Sequence, residues 1–222
     1  MPHLLIVGAG PGISAATARR FGREGYAVGL VARREDALAE LQSELAGDGI
    51  LVGRAPAAAD DPVSLTAAVE LLGETFGPAD VLLYNVSVGR QVTVPDLAPD
   101  DLLADLAAGV VGLQTVVRAV LPGMRELGAG TVLVTGGGSA DRPVTSMATL
   151  GVQKAAVRAL VAVQAAALAP VGIHVATATI RGLVGEQDRQ ISPERVAALY
   201  AELVAETAGP REGWRTEVDL RP

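Results

Sequence analysis

The stretch Leu4-Leu5-Ile6-Val7-Gly8-Ala9-Gly10-Pro11-Gly12-Ile13-Ser14 decides the fold. Its four apolar residues read as a buried strand, and the chain passes from them directly into glycine. A helical pattern follows from near Gly12, carrying Ala15, Ala16 and Phe21. Strand, glycine-rich turn and helix in that order aim backbone N–H groups and the positive end of a helix dipole at one place, which suits a pyrophosphate. Glycines stand where a side chain would block its approach. A GxGxxG spacing would need glycine at Ile13, whereas GxxxGxG fits at Gly8 and Gly12 and departs from glycine only at Ser14. Serine is small enough for close helix packing, and its hydroxyl is within reach of a phosphate. Gly8, Gly12, Ile13 and Ser14 are therefore candidate phosphate-binding residues.

Outward from this unit, short β-branched runs alternate with helical segments, the pattern of a parallel sheet covered by helices on both faces. Strands are expected at Leu4–Val7, Ala27–Ala32, Ile50–Gly53, Val81–Tyr84, Thr131–Thr135, Ile173–Thr179 and Arg215–Leu220. Glu35–Leu45 has one apolar face of Leu38, Leu41 and Leu45. Asp61-Pro62 opens a helix with a cap residue and proline at its first position, and Pro99 opens another running toward Leu121. The expected architecture is α/β, a single doubly wound Rossmann domain over residues 1–222 with a seven-stranded parallel sheet. At 222 residues and half hydrophobic, the chain is long enough for one well-buried core.

A net charge of −7 argues against nucleic acid or an anionic membrane as partner. The absence of cysteine excludes disulfides, thiolate metal sites and a cysteine nucleophile. The apolar run at the N-terminus has no basic lead-in, so a cytoplasmic location is expected. Ala159–Ile180 lacks charge but is broken by Pro170 and Gly172, and reads as a buried helix followed by a buried strand rather than a membrane span. His3 and His174 begin strands and read as structural, with no metal expected.

The second strand ends Ala32-Arg33-Arg34, where a carboxylate would grip the free ribose hydroxyls of NAD. Two arginines before the Glu35–Leu45 helix oppose its dipole unless an anion binds there, which favours NADP(H) over NAD(H) through the 2′-phosphate. The alternative is a pair of solvated surface arginines.

With the glycine loop at Gly8–Ser14, Tyr84-Asn85-Val86-Ser87 after the fourth strand, Leu121-Pro122-Gly123-Met124, Lys154-Ala155-Ala156-Val157 and Arg181-Gly182 after the sixth strand, the chain resembles the short-chain dehydrogenase/reductase family over nearly its whole length. The resemblance implies hydride transfer between NAD(P) and a small carbonyl or alcohol, with Asn85 at the cofactor and Lys154 as the lysine of the Tyr-x-x-x-Lys motif, binding the nicotinamide ribose. It also implies three departures. Leu150 stands at the tyrosine position, Gly137 at the serine position and Gly109 at the helical asparagine.

Composition sharpens this. The chain has three tyrosines, Tyr26, Tyr84 and Tyr200, and one lysine against seventeen arginines. That one lysine falls at position 154. An ammonium is a compact donor whose pKa responds to burial far more than a guanidinium does, so Lys154 is the candidate for the remaining acid role. Of the tyrosines, only Tyr84 adjoins the cofactor motif, while Tyr26 and Tyr200 are not obvious replacements. On the resemblance, Ser139, Asp141, Arg142, Ser146 and Thr149 stand where the family's substrates bind, though each by itself reads first as an ordinary polar loop residue. The resemblance makes Leu183–Ser192 a short cover, and Trp214 reads as packing against the core. Three functions follow as expectations: an NADP-dependent oxidoreductase with atypical acid–base chemistry, a catalytically inactive NADP-binding sensor or partner subunit, or a non-redox enzyme on this scaffold. Val152–Leu168, apolar nearly all round, reads as either deeply buried or paired with another subunit, and the resemblance implies a homodimer or homotetramer through it.

Overall fold

The computed structural model describes every residue except Glu186, Asp188 and Arg189. In chain order the elements are β1 (His3–Val7), α1 (Ile13–Arg23), β2 (Ala27–Ala32), α2 (Glu35–Gly47), β3 (Val52–Pro56), α3 (Pro62–Phe76) and β4 (Val81–Tyr84). They continue with α4 (Pro99–Leu106), α5 (Gly112–Leu127), β5 (Gly130–Gly137), α6 (Ala148–Leu168), β6 (Ile173–Ile180), α7 (Pro193–Ala205) and β7 (Glu217–Leu220). The seven strands form one sheet in the order β3-β2-β1-β4-β5-β6-β7, and every pairing is parallel.

Alternation along β1 divides the core. Leu5 and Val7 point to the face covered by α3, α5 and α6, where they meet Leu65, Leu72, Val116 and Val161. Leu4 and Ile6 point to the face covered by α1, α2 and α7, among Phe21, Leu38, Val196 and Tyr200. Both faces are thus helix-covered, as an all-parallel sheet requires. The sheet reverses its winding between β1 and β4, so a crevice opens at the carboxyl ends of those strands, where Gly8 and Asn85 emerge. Two helical stretches, Pro99–Leu127 and Ala148–Val171, are long and apolar enough to cross a membrane, and both lay buried residues on the sheet, among them Leu113, Val117, Val157 and Val161.

Local rules account for several boundaries. Asp61 caps α3, its Oδ1 accepting from Val63 N at 3.0 Å and Ser64 N at 3.3 Å, with Pro62 at the first helical position. Ser192 Oγ caps α7 by accepting from Arg195 N. Other boundaries differ from the sequence reading. The third strand is Val52–Pro56 rather than Ile50–Gly53, because Ile50 N donates to Leu45 O and its side chain packs on Gly22, so Ile50 closes α2 instead of joining the sheet. The seventh strand starts at Glu217 rather than Arg215, whose backbone N–H donates to Glu206 Oε2 at 2.8 Å. β5 extends past Thr135, since all eight of its residues pair with β6.

The helix expected from Pro99 is not continuous. Between α4 and α5 lies a π-helical segment, Ala107–Val111, one residue wider per turn. Two contacts shape it. The Tyr84 hydroxyl donates to Ala108 O, and Gly112 lies so close to Ala59 O and that same hydroxyl that a side chain there would collide with both. The buried tyrosine thus plugs the helix where its regular ladder is interrupted.

Candidate active site

The glycine turn is built as the spacing suggests. Gly8 and Ala9 both donate to Val31 O, and Gly8 has φ +87°, a conformation that side chains rarely adopt. A Cβ at Gly8 would stand 2.7 Å from the Asn85 carbonyl carbon, so the turn and the β4 exit touch backbone to backbone. Gly12, with φ +81°, begins α1 without a side-chain cap and with no acidic residue in the first turn, leaving the helix N-terminus electropositive. Added Cβ atoms at Gly10 and Gly12 would meet nothing within 4 Å.

Ser14 differs from its expected direction. It is fully buried, its Oγ donating to Gly8 O at 3.0 Å and accepting from Asn85 Nδ2 at 2.8 Å. The hydroxyl therefore ties β1, α1 and the β4 exit together instead of reaching outward to a phosphate. Ser14 and Asn85 stabilise the loop.

Three clefts share residues around this turn. One, about 510 Å³, runs between the turn and α2 and is lined by Gly10, Gly12, Arg33, Arg34, Glu40 and others. A second, about 220 Å³, opens over β1 and β4 between Arg33, Asp60, Asn85 and Val88. The third, about 780 Å³, lies over β5 and β6 and shares Asn85 and Ser87 with the second. The first cleft shares Ala9 and Arg33 with the second, and the second shares Asn85 and Ser87 with the third, so the three join in one trough that carries the open glycines and the α1 N-terminus. These residues fit NADP(H): the glycine turn would hold the pyrophosphate, and Lys154 would stand at the nicotinamide end.

At the α2 end the two arginines have different surroundings. Arg34 pairs with Asp36 at 3.2 Å on an open surface, whereas Arg33 lines both neighbouring clefts and has no ion-pair partner among the described residues. Glu35 and Asp36 fill the first turn of α2 and already complement its dipole. The dipole argument for a bound anion therefore weakens, and the position of Arg33 carries more of the weight.

Lys154 lines the third cleft and is 7 % exposed. Its Nζ donates to Thr135 O at 2.8 Å and approaches Val86 O at 3.5 Å. Burial lowers its pKa to about 8. Ile13, Gly137, Ser139, Asp141, Arg142 and Leu150 line the same cleft, as expected, but Ser146 and Thr149 are not on its wall. Thr149 is instead buried, donating to Asp105 Oδ2 at 2.8 Å, and Asp105 is held bidentately by Arg90. Asp141 accepts from Arg158 and from Arg181, which hold its carboxyl well below the usual carboxylate range. It is a fixed anion rather than a proton donor. The expected cover Leu183–Ser192 contributes Leu183 and Val184 to the cleft, and Glu186, Asp188 and Arg189 within it lie outside the described residues.

None of the three tyrosines lines that cleft among the described residues. Tyr84 is committed to Ala108 O, and Tyr26 packs edge-on against Phe21. Tyr200 is closer to the chemistry than its position on α7 suggested, since its hydroxyl lies 2.7 Å from Oγ1 of Thr135, the residue whose carbonyl accepts from Lys154. It is fully buried, and burial raises its pKa, as it does that of Tyr84. The histidines have structural partners: His3 Nδ1 lies 3.0 Å from Gly77 O, and the His174 ring lies between Leu203 O, 3.1 Å from Nδ1, and Arg215 O, 3.0 Å from Nε2. Trp214 stacks on His174 and donates to Glu206 O, away from the trough.

Residues 2–194 match the short chain dehydrogenase family, and the chain belongs to it. It is 30 % identical to oxidoreductase UcpA of Escherichia coli over 94 % of this chain and 74 % of that one. It is also 33 % identical to sulfoacetaldehyde reductase 2 of Chromohalobacter salexigens, over 70 % of this chain. It spans 62 % of that enzyme's length and 51 % of another curated relative's. Among solved structures, L-sorbose reductase from Gluconobacter frateurii, complexed with NADPH and L-sorbose, superposes with a TM-score of 0.91 at 24 % identity, over 99 % of this chain and 95 % of that one. That likeness shows the fold.

Proposed function

We propose that the chain is an NADP(H)-dependent oxidoreductase for a small carbonyl or alcohol, with Lys154 holding the proton in a site that lacks the family's serine and tyrosine. The observation that carries this is the lysine itself: the chain's one ammonium, dry, hydrogen-bonded to Thr135 O and brought near neutrality on the wall of the third cleft. Leu150 and Gly137 line that wall at the positions where the resemblance puts the tyrosine and serine. The cofactor, when bound, supplies or accepts hydride at the substrate carbon. The chain's own part is to hold the pyrophosphate at Gly8–Ile13, to exclude water with Leu150, Met147 and Leu183, and to keep a proton at Lys154 Nζ for the developing alkoxide. Arg33, between two clefts and with no carboxylate at the end of β2, supports NADP over NAD. Complexes such as the NADPH-bound sorbose reductase point the same way.

The test is consumption of NADPH and NADH with a panel of ketones, imines and enones. Turnover with any of them supports this reading, whereas stoichiometric NADPH binding without turnover would favour the sensor or partner subunit. Lys154→Arg is expected to weaken NADPH, and unchanged affinity would refute the ribose contact. Association is proposed through α6 and its neighbours, where Val152, Val163, Leu103 and Val111 are exposed on the surface. Sedimentation at micromolar concentration should give a homodimer or homotetramer, and a monomer would refute it.

A further inference from the structure

Gln153, the residue immediately before Lys154 on α6, is 1 % exposed. Its Oε1 accepts from Val88 N at 3.1 Å and its Nε2 donates to Val88 O at 3.0 Å, so one side-chain amide pairs both backbone groups of a residue in the loop leaving β4. The same loop carries the Val86 carbonyl that faces Lys154 Nζ, and Ser87, which lines the cleft. Across from Gln153, in the π-helical segment, stands Gly109. A Cβ there would lie 2.6 Å from Gln153 Oε1, 3.1 Å from its Cγ and 3.2 Å from its Cδ, and no other residue supplies a nearer atom. The room that a side chain at 109 would occupy is filled by an amide arriving from α6.

We propose that Gln153 is a positioning residue: its amide, seated in the space left by Gly109, clamps the loop after β4 so that the Val86 carbonyl and the dry wall around Lys154 Nζ keep their places. Without it the two Val88 groups lose their partner, which the loop can offset only by moving toward water. The inference rests on the proposed function only in taking the Lys154 cleft as the site, and its test needs no cofactor.

Because Lys154 is the chain's single lysine, protein grown with lysine labelled with carbon-13 at Cε gives one lysine resonance, whose midpoint with pH reports this group directly. The charged residues on the cleft wall it faces are Asp141, Arg142, Arg181 and Arg221, all unchanged in the variants. The wild type should titrate near 8. In Gln153→Ala water reaches Nζ and the midpoint should rise by about one pH unit. Gly109→Asn alone should clash and lower the melting temperature. Gly109→Asn with Gln153→Ala returns an amide from the other helix and should bring the midpoint at least half of the way back. A folded Gln153→Ala protein whose midpoint stays within about 0.2 pH units of the wild type overturns the proposal, as does a folded double variant with no recovery. Should Gln153→Ala not fold, Gln153→Asn, one methylene shorter, carries the same measurement. Failure of NADPH binding or turnover would leave these shifts in place, so the two proposals fail separately.

Discussion

The two ends of the trough are held by different means. At the glycine turn the ties are backbone and small polar groups: Gly8 N and Ala9 N on Val31 O, and Ser14 between Gly8 O and Asn85. At the Lys154 end the ties are side chains carrying full charge or buried amide, with Asp141 between two arginines and Gln153 on Val88. The comparison teaches that a backbone-built turn depends on few side-chain identities, while a side-chain-built wall changes character when two or three residues change.

The widest test of that contrast is Lys154→Met. It should lower turnover by about 10²–10⁴-fold while the glycine turn and fold persist. In the wild type, reduction should decline as pH rises through about 8, where Lys154 gives up its proton. Burial lowers the folded pKa, so below pH 8 the lysine is protonated in both folded and unfolded chains and its charge weighs against the fold. As pH rises toward its ordinary value of 10.5, the unfolded chain holds the extra proton and the wild type gains stability. Urea unfolding between pH 8 and 10.5 should therefore show the wild type gaining stability with pH relative to Lys154→Met, which has no proton to lose there.

Next in size, Arg33→Ala with Arg34→Ala should weaken NADPH by about 10–100-fold and leave NADH nearly unchanged, read by fluorescence titration. An equal loss for both nucleotides would remove the 2′-phosphate from the argument. Smaller and opposite in sign, Gly137→Ser with Leu150→Tyr should raise turnover by about tenfold. A Cβ at Gly137 would stand 3.5 Å from Lys154 Cγ and 3.6 Å from Ser139 Oγ, so the serine fits. Smallest for function is Tyr84→Phe, which should cost about 1–3 kcal/mol of stability by leaving Ala108 O unpaired, with nucleotide affinity little altered.

Much of this was legible in the residues. Alternating strands and helices, the glycine turn and the capped start at Asp61-Pro62 are local patterns, and they appear where the residues put them apart from the bounds of β3, β5 and β7 and the break between α4 and α5. What the residues alone did not disclose depends on partners distant in sequence. Ile50 leaves the sheet because Gly22 makes room for it, and the π segment exists against Tyr84 and Gly112. Ser14 turns inward because Asn85, far along the chain, offers a donor, and Thr149 turns to Asp105 instead of the cleft. Gln153 and Arg90 had no motif to mark them. The nearest signal for Gln153 was an amide-bearing residue beside the lone lysine, on a helix whose other polar residues are Thr149, Arg158 and Gln164.

The ions around Asp141 have a consequence for the edge of the sheet. Arg158 also reaches Glu217, and Arg181 and Arg221 meet on Asp219, so the outermost strand is pinned by charges as well as by Val218 and Leu220, which pack on the core. Those charges mask an edge that would otherwise invite a neighbouring chain to add a strand. Asp141, Arg181 and Arg221 among them also line the lysine cleft, whereas the glycine turn is tied by backbone and small polar groups. Added salt should therefore loosen these ties at the sheet edge, while the backbone-held glycine turn keeps its shape.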